Sequence, residues 1–245
     1  MPKYQAEALP DIDVEEFRKV VISRRSVRRF TDEAIPEAVV QDCLDMALLA
    51  PNSSNLQPWG FYRVVTPARR ERMIKACLNQ NAAKTAAEMI VVVAHTTTWK
   101  QHCAEILDQW PEESIPRVVE DYYKRGAMVQ YGQIPLDPMG RIKKLFRDVI
   151  GLTRPVPRWP NSQSDMKLWA CKSTALAAEN LMLALRAHGY DSCPMEGFDD
   201  ARVRKILQLP RDAFVVMIVA AGRRADNGVY HAQIRFDRDR FIHDI

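Results

Sequence analysis

Apolar positions along the chain fall into two periods. Between Asp13 and Arg24, Val14, Phe17, Val20 and Val21 recur at helical spacing, which predicts an amphipathic helix. Asp13 stands where an N-cap belongs, with Glu16 three residues on. "SRRSVRRF" (23–30) follows as an extended connector. Pro36 opens a second helix at a favoured first position. Val39, Val40, Leu44 and Ala47 form its apolar face, and Pro51 ends the run. "FYRVV" (61–65) reads as a strand and 67–78 as a helix. "MIVVVAH" (89–95), β-branched and free of charge, reads as a central strand buried on both faces.

From about 99 to 164 the periodicity breaks down. This stretch holds three of the five tryptophans (Trp99, Trp110, Trp159), together with Tyr122, Tyr123 and many prolines. Helical pieces are predicted at 114–131 and 139–149. Pro155, Pro157 and Pro160 then interrupt the backbone, so the region reads as an irregular excursion from the main sheet. Asp165 to His188 is the longest helical pattern, with apolar residues on more than one face, which demands burial nearly all round, in the centre or at a subunit interface. Gly189 stops it. Residues 199–208 form a short helix, "AFVVMIVAAG" (213–222) a second buried strand, and the remainder a polar arm. Strands separated by helices imply an α/β or α+β sheet packed on helices. Propensity does not fix the strand order.

Bulk properties narrow the function. With 245 residues, 47% hydrophobic and 27% charged, the chain has the composition of an ordinary globular protein. The net charge of +4 comes from dispersed basic residues interleaved with acids, which gives no case for a nucleic-acid partner and suits a small anion. Five cysteines (Cys43, Cys77, Cys103, Cys171, Cys193) without a CxxC imply reduced thiols and a cytoplasmic location. The N-terminal stretch 1–17 carries acids where a signal peptide would be apolar. The apolar runs are too short to cross a bilayer, so no membrane association is expected. There is no GxGxxG, P-loop, HExxH or GxSxG, and the five histidines lack metal-ligand spacing. Neither a Rossmann dinucleotide site nor a metal site is expected.

Four short stretches carry candidate chemistry. In an extended connector, alternate side chains share a face. Arg24, Ser26 and Arg28 can therefore converge while Arg25 and Arg29 face away. Two guanidinium forks and a hydroxyl suit a phosphate, although a short arginine run also serves as a solvated turn. "APNSSNLQPWGF" (50–61) lines up Asn52, Ser53, Ser54, Asn55 and Gln57, neutral donors and acceptors able to read a heterocycle edge. A helix-to-strand loop built of turn formers explains Asn52 and Ser53 equally well. In "CPMEGF" (193–198), Gly197 permits close backbone approach to a ligand or simply makes a turn. Asn81 and Lys84 in "NAAK" fit helix capping and a surface lysine.

Taken in order, "RRSVRRF", "APNSSNLQPWGF", "NQNAAK" before "MIVVVA", "PMEGF" and the C-terminal arm resemble the nitroreductase family of FMN-dependent oxidoreductases. The resemblance implies one α+β domain over 1–245, with a mainly antiparallel central sheet flanked by helices and a variable lid-like excursion at 99–164. It implies an intertwined homodimer with tightly bound FMN at the interface and the helix at 165–188 in the dimer core. Arg24 and Ser26 then correspond to phosphate ligands, with Arg25 beside the flavin and Arg28 near its N1/O2 edge. Pro51, Asn52, Ser53, Asn55 and Gln57 correspond to the loop reading the flavin, partly from the partner chain. Asn81 and Lys84 lie at the flavin edge. Pro194, Met195, Glu196 and Gly197 cover one flavin face, with a backbone N–H of the Glu196-Gly197 turn at N5. Arg235 is a further phosphate ligand. Where the family commonly has a basic residue two positions earlier, this chain has Gln233, for which Gly222-Arg223-Arg224 offers a substitute.

The implied activity is ping-pong transfer of hydride from NAD(P)H through the flavin to a nitroaromatic or quinone-type acceptor, with water or Glu196 as proton source. Two other readings fit the same site: a specialised branch performing reductive dehalogenation or flavin breakdown, and a non-catalytic flavin-sequestering protein.

Overall fold

A computed structural model of the chain describes residues 8–132 and 137–245, with the side chains of 137–141 left out. The first seven residues of the acid-bearing N-terminal stretch, and 133–136 of the excursion, lie outside the described residues.

The elements in order are α1 (Val14–Ser23), α2 (Glu37–Leu48), β1 (Trp59–Arg63), α3 (Pro67–Ala76), α4 (Asn81–Thr85), β2 (Glu88–His95), α5 (Trp99–Asp108), α6 (Arg117–Asp121), a π-helical turn (Tyr122–Gly126), α7 (Ala127–Tyr131), α8 (Asp137–Ile150), α9 (Gln163–Ala187), β3 (Asp191–Met195), α10 (Asp200–Leu207) and β4 (Ala213–Gly222). The four strands form one sheet in the order β1-β2-β4-β3, and every neighbouring pair is antiparallel. This is the α+β class expected.

The charge-free run of β2 works as its composition requires. Met89, Val91 and Val93 pack on one face with Met73 and Ala76 of α3, Ala82 and Ala83 of α4, and Val203 and Ile206 of α10. Ile90 and Val92 pack on the other with Val40, Cys43 and Ala47 of α2 and Ala178, Leu181 and Leu185 of α9. The period-2 alternation of a strand thus feeds two separate apolar layers. A third layer joins Leu56, Trp99, Cys103, Ala127, Tyr131, Met166 and Trp169, tying the excursion to the N-terminal half of α9.

Element ends follow local chemistry. Asp13 caps α1, accepting from the N–H groups of Glu15 and Glu16. Pro36 sits at the N-cap of α2, one place before the position expected. Strand β1 lies two residues earlier than 61–65, and Val65 is exposed. Helix α3 stops at Ala76 because Leu78 and Asn79 turn left-handed. Helix α9 starts at Gln163, two residues early, since Ser162 and Asp165 form a reciprocal capping box. Gly189 ends it with φ +83°, a conformation open to a residue without Cβ.

One expectation fails. Trp99–Asp108 is a regular helix, α5, where only irregular chain was expected. Its single buried face, Trp99 and Cys103, was masked by the polar residues between. Of the two placements expected for α9, the single chain does not cover it on all sides: Leu168 and Leu176 are exposed. Helix α1 buries nothing at all, so the stripe of Val14, Phe17 and Val21 faces outward.

The excursion is locked by cations on carbonyls. Lys143 donates to the carbonyls of Gln130 (3.1 Å) and Gly132 (2.9 Å) at the end of α7, where the helix dipole favours positive charge. Arg147 donates to the Pro160 carbonyl (2.8 Å) and Asn161 Oδ1 (3.0 Å). Burial, reinforced by the neighbouring Arg147 charge, pushes the Lys143 ammonium down to about 8. The unfolded chain therefore binds more protons than the folded one between about pH 8 and the ordinary lysine value, and stability should rise across that window. Denaturant melts of wild type and Lys143→Met should show wild type gaining relative to the variant from pH 7.5 to about pH 10. A constant difference would contradict the buried-ammonium reading.

Candidate functional site

Helix α1 ends at Ser23, and the next residues become an extended strip pinned on both sides. Ser26 bridges Ser192 in parallel and Phe30 bridges Arg224 antiparallel. The Val27 N–H donates to the Ser192 carbonyl (3.0 Å), and the Arg28 N–H donates to the Gly228 carbonyl (2.7 Å). Val27 is completely buried between them. The strip lies at the edge of β3, and the turn at Gly228 returns the C-terminal arm alongside it. Between strip and arm is a cavity of about 230 Å³, walled by Arg24, Arg25, Ser26 and Arg28 on one side and by 229–235 on the other.

This grouping matches the expected anion site with one correction. Arg25 does not face away: it lines the same cavity, its Nη2 donating to the His231 carbonyl at 2.6 Å. Strict alternation requires a continuous ladder, and here a single bridge at Ser26 leaves the flanking side chains free to turn. Arg24 also approaches Glu179 of α9 (3.8 Å). Arg235 and Gln233 lie on the arm wall. The proposed substitutes for a basic residue at 233 are committed elsewhere. Arg223 pairs with Glu33 (2.5 Å), and Arg224 grips the buried Asp191 with Nη2 (2.6 Å) and Nε (3.1 Å). Neither lines the cavity.

Tyr230 was not anticipated. Its hydroxyl accepts from Asn81 Nδ2 at 3.0 Å, and the Arg28 guanidinium lies 5.7 Å from its ring centre. The Asn81 bond first, then Arg29, holds its hydroxyl below the ordinary tyrosine value. An aromatic two residues after the Gly228 turn was the only signal in the sequence. Lys84 is exposed on α4. Beyond β3, Glu196 and Gly197 form an exposed turn, and the Gly197 carbonyl accepts from Gln80 Nε2 at 2.6 Å. That bond sets the turn beside Asn81. Pro194 and Met195 belong to β3, and the Met195 side chain is core, so only its backbone faces the turn.

The loop 51–57 lies elsewhere. It feeds β1 at Trp59, which pairs with Ala94 near the end of β2. Asn81 and the arginine strip lie at the beginning of β2, where Thr85 Oγ1 accepts from the Phe30 N–H. The eight-residue β2 separates these ends by about 23 Å. Within one chain, then, the expected site falls into two groups.

Much of the loop's hydrogen bonding is internal. Asn52 Oδ1 accepts from the Gln57 N–H (2.7 Å), and its Nδ2 donates to the Ala50 carbonyl (3.3 Å) and faces Asn55 Oδ1 (3.5 Å). Gln57 Nε2 donates to the Asn55 carbonyl (3.4 Å). Ser53 Oγ meets the Tyr131 hydroxyl at 2.8 Å. Pro51 is exposed. The turn-former reading therefore accounts for part of this composition, and serine hydroxyls and amides retain valences for a ligand.

The nitroreductase family model matches residues 21–223. A Thermus thermophilus protein named NADH dehydrogenase is 29% identical over 230 residues, covering 94% of this chain and 96% of its own. Among solved structures, YdfN of Bacillus subtilis superposes with a TM-score of 0.75 at 20% identity, over 95% of this chain and 100% of that one. A protein of Exiguobacterium sibiricum solved in complex with FMN gives 0.68 at 21% identity, over 98% and 100%. The matched span begins at Val21 and runs through the arginine strip, the loop, Asn81 and the Glu196-Gly197 turn: the chain belongs to the nitroreductase family.

Proposed function

We propose that this chain binds FMN with its phosphate in the cavity between the arginine strip and the C-terminal arm, and reduces nitroaromatic or quinone-type acceptors at the expense of NAD(P)H. The observation that carries this reading is the convergence of Arg24, Arg25, Ser26, Arg28 and Arg235 on one cavity. A phosphate monoester carries close to two negative charges, and guanidinium forks meet such oxygens in pairs. A hydroxyl at Ser26 adds a donor.

The other residues divide the remaining work. Asn81 and Lys84 border the ring edge. Arg28 or Lys84 places a cation where a reduced flavin is negative, which tunes its readiness to accept electrons. The Glu196-Gly197 turn offers backbone N–H groups to the ring, and Glu196 or water supplies the proton to the acceptor. Held by these residues, FMN would supply hydride transfer between NAD(P)H and an acceptor that takes turns with the nicotinamide at the same face, as a ping-pong cycle requires. The protein binds, orients and sets the electrostatics.

The separation along β2 supports completion of the site by a second copy. Pro51, Asn52, Ser53, Asn55 and Gln57 reach a flavin only if it is held by another chain. Unpaired apolar surface supports that arrangement: the α1 stripe, Leu168 and Leu176 on α9, and Ile234, Phe236 and Phe241 on the arm are all exposed, which is costly on an isolated monomer.

Three outcomes are expected. Purified protein should be yellow, and Arg24→Ala should weaken FMN binding by roughly 10- to 150-fold, the equivalent of one charge-assisted contact; undiminished flavin after dialysis would contradict the phosphate role. Gly228→Ala should also release FMN. A Cβ there would stand 2.6 Å from the Arg29 carbonyl oxygen and 2.9 Å from that of Ala225, prising the arm from the strip; equilibrium dialysis would detect the change. Gel filtration should give a dimer, and dilution to monomer should free the flavin. A monomer that retains its flavin would exclude the shared site.

A further inference from the structure

Tyr122, Tyr123 and Tyr131 of the excursion all reach the loop that precedes β1. Tyr131 OH lies 2.8 Å from both Ser53 Oγ and Ser54 Oγ. Tyr122 OH also bonds Ser54 Oγ, and Tyr123 OH donates to the Ser54 carbonyl at 3.1 Å. The Tyr131 ring is fixed between Trp169 (5.0 Å) and Trp99 (6.0 Å), and Tyr122 and Tyr123 pack edge to face at 5.3 Å.

Two features show that this convergence is built. In an uninterrupted α-helix, residues nine apart point about 180° away from each other. The π-helical turn at Tyr122–Gly126 takes up an extra residue and brings Tyr122 and Tyr131 to within about 80°. Gly126 makes room for this: a Cβ would fall 2.9 Å from Tyr122 Cδ2. The loop itself is held in an unfavourable form, with φ of 59° at Ser54, 50° at Asn55 and 42° at Gln57. Non-glycine residues in that region cost energy, and the tyrosine hydroxyls add to the loop's own bonds in holding them there.

We propose that Tyr122, Tyr123 and Tyr131 are positioning residues for the flavin. Their hydroxyls clamp the left-handed loop 52–57 so that it meets the ring system bound mainly by the partner chain. The inference rests on the flavin reading above. It makes the excursion and the flavin loop one mechanical unit, so that a change in one is transmitted to the cofactor.

Tyr131→Phe, Tyr122→Phe and Ser54→Ala remove hydroxyls and leave the aromatic packing in place. They are to be compared with wild type and with the Tyr131→Phe/Ser54→Ala double variant. Fluorescence quenching gives the FMN dissociation constant, the visible band of bound flavin gives its environment, and apoprotein melting reports on folding. Each single variant should weaken FMN roughly two- to tenfold and shift the bound-flavin band, with apoprotein melting close to wild type. The double variant should lose less than the sum of the two single ones, because the Tyr131–Ser54 contact is removed by both while the Tyr131–Ser53 and Tyr122–Ser54 contacts are removed by one each. Wild-type affinity and spectrum in the variants, or fully additive losses, would overturn the clamp while leaving the flavin reading intact. A wild-type protein that binds no FMN would overturn both.

Discussion

Everything about this site follows from the burial of β2. Its six central residues, Met89 to Ala94, are fully covered on both faces, and between them they enter all three apolar layers. A strand covered on both faces cannot present a ligand along its length, so polar chemistry is pushed to its two ends. One end receives Asn81, the arginine strip and the Glu196-Gly197 turn. The other receives the loop 51–57. The rigidity of the strand fixes their separation at about 23 Å, too far for one small cofactor to touch both groups on the same chain. The two-fold arrangement proposed above would resolve this, and the apolar surface exposed on α1, α9 and the arm is where such a contact would form.

The charges are sorted by the same constraint. Several arginines maintain the fold and are unavailable for ligands. Arg63 joins Glu37 (2.6 and 2.9 Å) to Glu88 (3.1 and 3.3 Å), linking α2 to both β1 and β2. Arg70 caps the carbonyls of Ala86 and Ala87, and Arg204 those of Pro210 and Ala213. Asp191, only 3% exposed, is neutralised by Arg186 and Arg224 together. Removing either would strand a buried carboxylate, which is far costlier than losing a surface pair. The arginines around the cavity differ. Arg25 and Arg235 donate to backbone carbonyls of the arm, and Arg28 lies near the Tyr230 ring. Such contacts orient a guanidinium without cancelling its charge, whereas Arg24 also approaches the Glu179 carboxylate at 3.8 Å.

That sorting marks the limit of what the sequence discloses. The strands at 89–95 and 213–222 were legible because a charge-free β-branched run has few other fates. The helix at 200–207 was legible from its spacing, and its Asp199 cap is observed. The grouping of Arg24, Ser26 and Arg28 on one cavity was legible, since they lie so close in the chain. Whether Arg223 and Arg224 joined them was not, because their partners, Glu33 and Asp191, are far away in sequence. Tyr230 escaped for the same reason: its bond to Asn81 spans 149 positions. Helix α5 escaped because one narrow apolar face among polar residues gives a weak period. The π-helical turn has no period of its own to detect.

The loop 50–57 shows why its residues are polar yet uncharged. Two demands meet there. The chain must turn from α2 into β1 through three left-handed non-glycine residues, and it must do so against the buried Tyr131 and the apolar layer around Trp169. Asparagine and glutamine satisfy the first demand because the amides of Asn52 and Gln57 bond locally to the backbone, while the hydroxyls of Ser53 and Ser54 meet the tyrosines. A lysine or glutamate would fail the second, since its charge would be partly desolvated beside aromatic rings with no counter-ion supplied. The same neutrality suits contact with an uncharged ring system presented by another chain. One composition therefore serves the turn and the tyrosine contacts together, and the ligand contact proposed for this stretch asks for the same neutral side chains.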